Sequence, residues 1–440
     1  MQIWKFLLLL FSALLVYDPV FAQSFDAVGG PISSSDTAWL LTSAAFVLLM
    51  TPGLSFFYGG MVRPKNVVST MLQSFICMGV VSLFWYFVGF SLAFGDSIGG
   101  IIGNPFTYFM FHNVTELTHK TLSPTIPFVL FSIFQLKFAI ITPALITGSF
   151  AERVSFKSYV LFVILFEIFI YTPLAHMTWH PDGIFHKMGV LDFAGGTVVH
   201  MSAGLAALVG AFFLGSRVKY GKDTQAYPPA NVPYVLLGTG LLWFGWFGFN
   251  SGSSLGSNGL SALAFATTHF ASASAMLVWM GWDALRGKKP SAIGACIGAV
   301  VGLVAITPAA GFVSIGSSVL IGVIGASVSH FAAHWRARTG LDDTLDVFPC
   351  HGVGGMVGIL LTGVLAKDTG LISGKTSTFY AHLICLFTVT FGVIVISYLL
   401  YWVVNKITLL RVSSEDELLG LDRSQHDEAA LSLQELSLES

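Results

Sequence analysis

The sequence predicts an all-α polytopic membrane protein: eleven transmembrane helices, built as two inverted five-helix repeats plus an eleventh helix, N-out and C-in. Three observations carry this expectation. Of 440 residues 54% are hydrophobic and only 10% are charged, where a soluble globular chain carries about 25%, and the mean hydropathy is +0.77. Apolar runs of the ~20 residues needed to cross a bilayer recur between short polar breaks. Lys and Arg concentrate on alternate loops. The net charge of −2, with no basic run interleaved with aromatics, gives no footing for a nucleic-acid partner.

Residues 1–22 read as a cleaved signal peptide. Lys5 precedes an apolar run from Phe6 to Val16, and Val20-Phe21-Ala22 fits a signal-peptidase site. That run is short of a bilayer span. Residues 23–36 form a short external N-terminus, and the membrane domain covers 37–404. Spans fall near 37–60, 69–94, 125–150, 158–178, 193–214, 232–251, 261–284, 289–306, 310–331, 347–365 and 379–404. A polar, acidic tail occupies 405–440.

Five loops, near 61–68, 151–157, 215–231, 285–289 and 332–346, together with the start of the tail, hold fourteen Lys and Arg residues. The opposite loops hold four: Lys120, Lys187, Lys367 and Lys375. This bias puts the C-terminus in the cytoplasm of a cell-membrane protein and independently supports an odd number of spans. Cys77, Cys296, Cys350 and Cys385 all lie in apolar runs, so neither a disulfide framework nor a metal site is indicated. No cofactor is expected.

Spans one to five and six to ten run in opposite senses if they are repeats, because five is odd. Each half ends on a span with an Asp shortly before a His among glycines. These are Asp192 and His200 in "LDFAGGTVVH", and Asp346 and His351 in "LDVFPCHGVGG", at spacings of eight and five. An inverted repeat places its site between the halves, near the midplane. Gly294, Gly298 and Gly302, four residues apart, allow close helix approach.

Trp246, Phe249, Asn250 and Ser253 share one face of the sixth span, and Phe134 and Phe138 one face of the third. Trp179 lies just past the outer end of the fourth. Aromatics at such spacing serve lipid contact or core as readily as a lumen, and a terminal Trp fits the interfacial belt. Spacing alone leaves their role open.

"MTPGLSFFYGGMVRPKNVVSTM", "FQLKFAIITPALITGSFAERV", "DFAGGTVVHMSAG", "WFGWFGFNSGS" and "DVFPCHGVGGMVG" resemble, in order, the signature segments of the ammonium transporter family, relatives of the Rhesus proteins. The resemblance runs from about residue 36 to 405. It implies a homotrimer of eleven-span protomers, each with its own narrow hydrophobic pore for ammonium or ammonia, and methylammonium as an analogue. It makes Phe138, Trp179 and Ser253 an external recruitment site, Phe134 and Phe249 a stacked gate below it, and Trp246 part of the wall. His200 and His351 become paired imidazoles in the lumen. Asp192 becomes a structural cap at the mouth, with His200 about 12 Å deeper at ~1.5 Å per residue. The resemblance also implies contact of the inner loops and tail with a PII-type cytoplasmic regulatory protein. "LLRVSSEDELLGLD" (409–422) reads as an amphipathic element lying against the inner face.

Histidines suit such a lumen. Moving an intact cation into an apolar space costs an idealised tens of kcal/mol, whereas deprotonating ammonium, of pKa about 9, costs roughly 3 kcal/mol at neutral pH. Neutral imidazoles both donate and accept, so a pair can pass ammonia along and relay its proton separately. Two features depart from the family pattern: Lys137, whose unpaired charge costs about 3 kcal/mol at midspan, and "PCHG", where the residues directly before the second histidine are unusual. Lys137 is expected to face the subunit interface, pair with Glu167 or alter the vestibule. A sensor that binds ammonium with little flux is the alternative function. An enzyme is not expected, because neither a third metal ligand nor a nucleophile–base pair accompanies the histidines.

Overall fold

The computed structural model describes residues 29–218, 220 and 228–430. The signal-peptide reading of 1–22 and the last ten residues of the tail lie outside the described residues, as do Lys219 and Lys222. Among the described residues, ten helices are long and apolar enough to cross a membrane. They are α1 (Ser34–Met61), α2 (Pro64–Phe94), α3 (Phe128–Phe150), α4 (Phe156–Lys187), α5 (Gly196–Leu214), α6 (Val232–Gly252), α7 (Gly259–Leu285), α9 (Ile315–Arg336), α10 (Phe348–Leu365) and α11 (Thr376–Ile407).

The region expected as the eighth span holds a shorter apolar helix, α8 (Ala292–Ile306), of 15 residues. At ~1.5 Å per residue it covers about 22 Å, less than a hydrocarbon core of about 30 Å. Ser291 caps its first turn by accepting the Gly294 N–H. Pro308 lacks an N–H and ends it, and turns follow through 307–312.

Hydrogen bonds sort the loops onto two faces. On one, Arg63 meets Glu152, Arg217 meets Asp342, and the Ser155 N–H donates to the Leu410 carbonyl, so the carboxyl-terminal tail belongs there. On the other, Asp36 accepts from the Ser257 N–H, Phe193 donates to the Pro308 carbonyl and Lys367 to that of Phe312. Successive helices alternate in direction between this opposite face and the tail face.

The opposite face also carries two small antiparallel ribbons that periodicity did not reveal. β1 (Ser97–Ile98) pairs with β2 (Ile102–Gly103), and β3 (Thr118–His119) with β4 (Ser123–Pro127). The tail folds into two short helices, α12 (Ser414–Leu419) and α13 (Leu421–His426). Within the bundle, close approach at glycine replaces a hydrophobic drive between helices. A Cβ on Gly302 would lie 2.5 Å from the Ala271 carbonyl, so α8 can press against α7 only without one.

Four helices carry a π-helical turn: Trp85–Gly89 in α2, Glu167–Tyr171 in α4, Gly196–Met201 at the start of α5 and Phe348–Val353 at the start of α10. Such turns insert one residue into the ladder and often mark functional sites. The last two hold His200 and His351.

Candidate functional site

The π-turn of α5 is built on a carboxylate. Asp192 accepts the N–H groups of Gly195 and Gly196 on one oxygen, at 2.8 and 2.6 Å, and that of Thr197 on the other, at 2.7 Å. The Thr197 hydroxyl also donates to Asp192. These are the orphan donors of a helix N-terminus, where a negative charge is also favoured by the backbone dipoles. Gly195, at φ +112°, makes the reversal that lets the carboxylate fold back. His200 therefore lies in the first turn of α5, not eight helical residues below Asp192. The 12 Å expected from a continuous helix does not apply.

α10 is built the same way from the tail face. Asp343 accepts the N–H groups of Val347 and Phe348, at 3.1 and 2.8 Å. Asp343 precedes His351 by eight residues, as Asp192 precedes His200. Asp346, the acid paired with His351 on sequence grounds, does not cap α10; it has φ +55° and pairs with Arg336 at 2.7 Å. Equal spacing to the histidine was the available signal, hidden because two other acids, Asp342 and Asp346, flank the right one.

The two histidines meet where α5 and α10 cross. Their Nδ1 atoms are 3.4 Å apart and their rings stack at 25°, with centroids at 5.4 Å. One Nδ1 donates and the other accepts, which fixes opposite tautomers on the two rings. Gly204, one turn beyond His200, makes the crossing possible: a Cβ there would sit 2.0 Å from the Gly352 nitrogen. The Nε2 of His200 is buried without a hydrogen-bond partner among the described residues.

Aromatic rings pack over the pair. Trp246 stacks on His200 at 5.3 Å and 19°, its Nε1–H donating to the Thr307 hydroxyl at 2.9 Å. Phe249 lies 6.1 Å from His200. Phe138 stacks on Phe249 at 4.2 Å and 27°. Phe134, expected as the ring stacked on Phe249, instead meets Phe138 edge-on at 5.0 Å, its side chain lying against Gly252. The reason is height along the helix: the two rings share a face of α3, and it is Phe138, not Phe134, that lies level with Phe249.

Beyond these rings a vestibule of about 400 Å³ opens on the opposite face. Phe138, Trp179 and Ser253 all line it, joined by Gln135, Thr121 and His186, which sequence reasoning did not single out. Trp179 stands at 80° to Phe138, anchored by its Nε1–H on the Asp192 carbonyl at 3.0 Å. The Ser253 hydroxyl donates to the Phe249 carbonyl at 2.8 Å, leaving its lone pairs for another donor. On the other side of the histidines, a cavity of about 10 Å³ is lined by Tyr58, Cys350 and His351. That is the space of about one water.

Lys137 is half-buried and does not line the vestibule. Both carboxylate oxygens of Glu167 are buried with no hydrogen-bond partner among the described residues, so the two do not pair. His382 was also missed. It accepts the Leu191 N–H at 2.9 Å and donates to the Ile359 carbonyl at 2.6 Å, tying α11 to the entry of α5. Among the described residues no group of three or more His, Cys, Asp or Glu side chains could hold a metal ion.

Residues 38–431 match the model of the Ammonium Transporter Family. The chain belongs to the ammonium transporter family. It is 44% identical to the ammonium transporter of Aquifex aeolicus, over 94% of this chain and 97% of that one. It is 42% identical to a putative ammonium transporter of Methanothermobacter thermautotrophicus, over 91% and 99%. Among solved structures, Mep2 of Saccharomyces cerevisiae superposes with a TM-score of 0.82 at 32% identity, covering 87% of this chain and 88% of that one. A protein titled a sensor Amt protein superposes equally well, at 0.82 and 29% identity, covering 89% and 98%. This member of the family is accordingly a multi-pass membrane protein built on that fold.

Proposed function

We propose that the chain takes up ammonium through a narrow pore running from the vestibule, past Phe138 and Phe249, along His200 and His351 to the tail-side cavity. The observation that carries this reading is the buried imidazole pair, hydrogen-bonded Nδ1 to Nδ1 at 3.4 Å between aromatic walls. Ammonium is attracted by the faces of Phe138 and Trp179 and donates to Ser253. It passes its proton to solvent water in the open vestibule before the Phe138–Phe249 stack, because the bare cation costs far more to bury. Ammonia then moves along the imidazoles, which can carry the proton separately.

α8 with its following turns counts as the eighth of eleven crossings in this reading, and α5 and α10 are the matching last members of two inverted repeats. The vestibule faces outside, the tail face is cytoplasmic, and three protomers assemble as a homotrimer whose tail segments couple the pores and offer a surface to a PII-type protein.

The test is current from purified protein on solid-supported membranes, with ammonium, methylammonium and potassium pulses. His200→Ala and His351→Ala are expected to keep the assembled fold and lose at least tenfold of the ammonium-driven current. The double variant should lose little more, because the pair acts as a unit. Undiminished, potassium-excluding current in the double variant would eliminate the histidine track. The likeness to a sensor Amt protein supports a second reading, ammonium sensing with little flux. It is favoured if wild-type protein binds ammonium but gives no current.

A further inference from the structure

A large apolar groove lies outside the pore path. It has a volume of about 760 Å³ and opens between α5, α9, α10 and α11 near the tail face. Leu208, Phe212, Trp335, Phe348, Tyr398 and Leu399 line it, and almost all of its wall is apolar. Phe212 and Trp335 are 72% and 65% exposed, so this is open surface on the outside of the helix bundle. At its tail-face end the wall changes character. Arg336 and Thr339 belong to the groove, and exposed Arg338 follows on the same turn. Trp and Arg at the end of a membrane helix sit at headgroup level, and a guanidinium there meets phosphate.

We propose that this groove binds the acyl tail of a phospholipid from the tail-side leaflet, its phosphate at the Arg338 end, and that the tail holds His351 in place from outside. Phe348 makes the connection. It lines the groove on one side, and on the other its ring is the nearest side chain to Gly352, where a Cβ would lie 2.7 Å from it. Phe348 also opens the π-turn that carries His351, and its N–H is held by Asp343. Phe348 is only partly buried by the protein itself, and a tail in the groove adds contacts to its ring. The occupant is an acyl chain because the groove faces the space that lipid fills around a multi-pass protein, and because an apolar trough ending in an arginine matches the shape and charge of a phospholipid.

Detergent-purified full-length protein is titrated with phosphatidylglycerol brominated along its acyl chain, at a few molecules per protomer. Saturable quenching of tryptophan fluorescence is expected in the wild type. It should be lost in Trp335→Phe, and equally in Val395→Phe, which fills the groove while leaving Trp335 in place. Quenching that never saturates, or that persists in Val395→Phe, reduces the contact to ordinary surrounding lipid and overturns the site. Cross-linking of Trp335-face cysteines between protomers would overturn it in favour of a second copy of the chain. Coupling is read in protein labelled with [15N]histidine: groove occupancy should move the His351 ring resonances, assigned by their loss in His351→Ala. Unmoved resonances at saturation overturn the coupling. Neither readout uses ammonium flux, so failure here is distinct from failure of the transport reading.

Discussion

Lys137 stands near the middle of α3, directly before the ring that closes the vestibule, yet it does not line that space and does not reach Glu167. Its charge is then a cost without a role in recruitment. An ammonium group held at midspan costs about 3 kcal/mol on insertion scales. Lys137→Met is expected to raise the unfolding temperature of the detergent-solubilised protein and to leave apparent ammonium affinity unchanged, even at low ionic strength where screening is weakest. A gain in affinity at low salt would place the amine within reach of the vestibule. At the same scale, Cys350 explains the unusual "PCHG". The thiol is buried beside His351 and lines the tail-side cavity, a place that needs a small apolar group.

α12 and α13 show what the tail does as an element. Asp422 accepts the N–H groups of Val68 and Ser69, at 3.1 and 2.8 Å, and so caps the first turn of α2. Leu421 donates to Asn66, and Lys65 to the Leu418 carbonyl. Glu417 accepts from the Val218 N–H at 2.6 Å and from Arg411 at 2.8 Å, joining the tail to the α5–α6 loop. The amphipathic element read at 409–422 is thus a clamp across two loops, held by carboxylates together with the buried Leu410 and Leu421. Loss of one such cap costs about 1 kcal/mol, so Asp422→Ala should speed proteolytic cleavage of the tail by about fivefold. Removing residues 411–440 should lower ammonium flux in assembled protein. Unchanged assembly together with unchanged flux would show that the clamp does not couple the pores.

Across the whole molecule, the tail face is held by a buried ionic network. Glu152 bonds Arg63 and Arg217, and Arg217 also pairs with Asp342 at 2.8 Å. Burial raises both carboxyls, but it is outweighed: Arg217 and Arg63 hold Glu152 below its ordinary value, and Arg217 and Arg153 do the same for Asp342. A depressed carboxyl adds stability above its unfolded pKa and loses it as pH falls through the folded one. Asp346 acts in the other sense. Burial, opposed by Arg336, raises it from 3.8 to about 6, so its contribution is complete below 3.8 and is lost as pH rises through about 6. Thermal unfolding followed from pH 7 down to pH 3 should show Asp346→Asn removing a gain in stability as pH falls from about 6 to 3.8. Glu152→Gln should remove a separate loss below pH 4.5, its ordinary value. Identical pH profiles for wild type and Glu152→Gln would remove the network from the stability of this face.

Period and composition were enough for the membrane class and for ten of the helices, because a bilayer demands long apolar runs whatever the neighbours are. Motif context in "DFAGGTVVHMSAG" and "DVFPCHGVGGMVG" was enough to single out His200 and His351. α8 begins at Ala292, inside its expected span of 289–306, because Pro290 and the capping Ser291 set its first turn. Other features depend on partners far along the chain. Asp343, and not Asp346, caps α10 because the reversal at Asp346 turns that side chain toward Arg336. Phe138, and not Phe134, stacks on Phe249 because the relative height of α3 and α6 is set by packing. Local sequence determines which face of a helix is apolar. Only the crossing of two helices at Gly204 and Gly352 decides that two imidazoles 151 residues apart share a hydrogen bond.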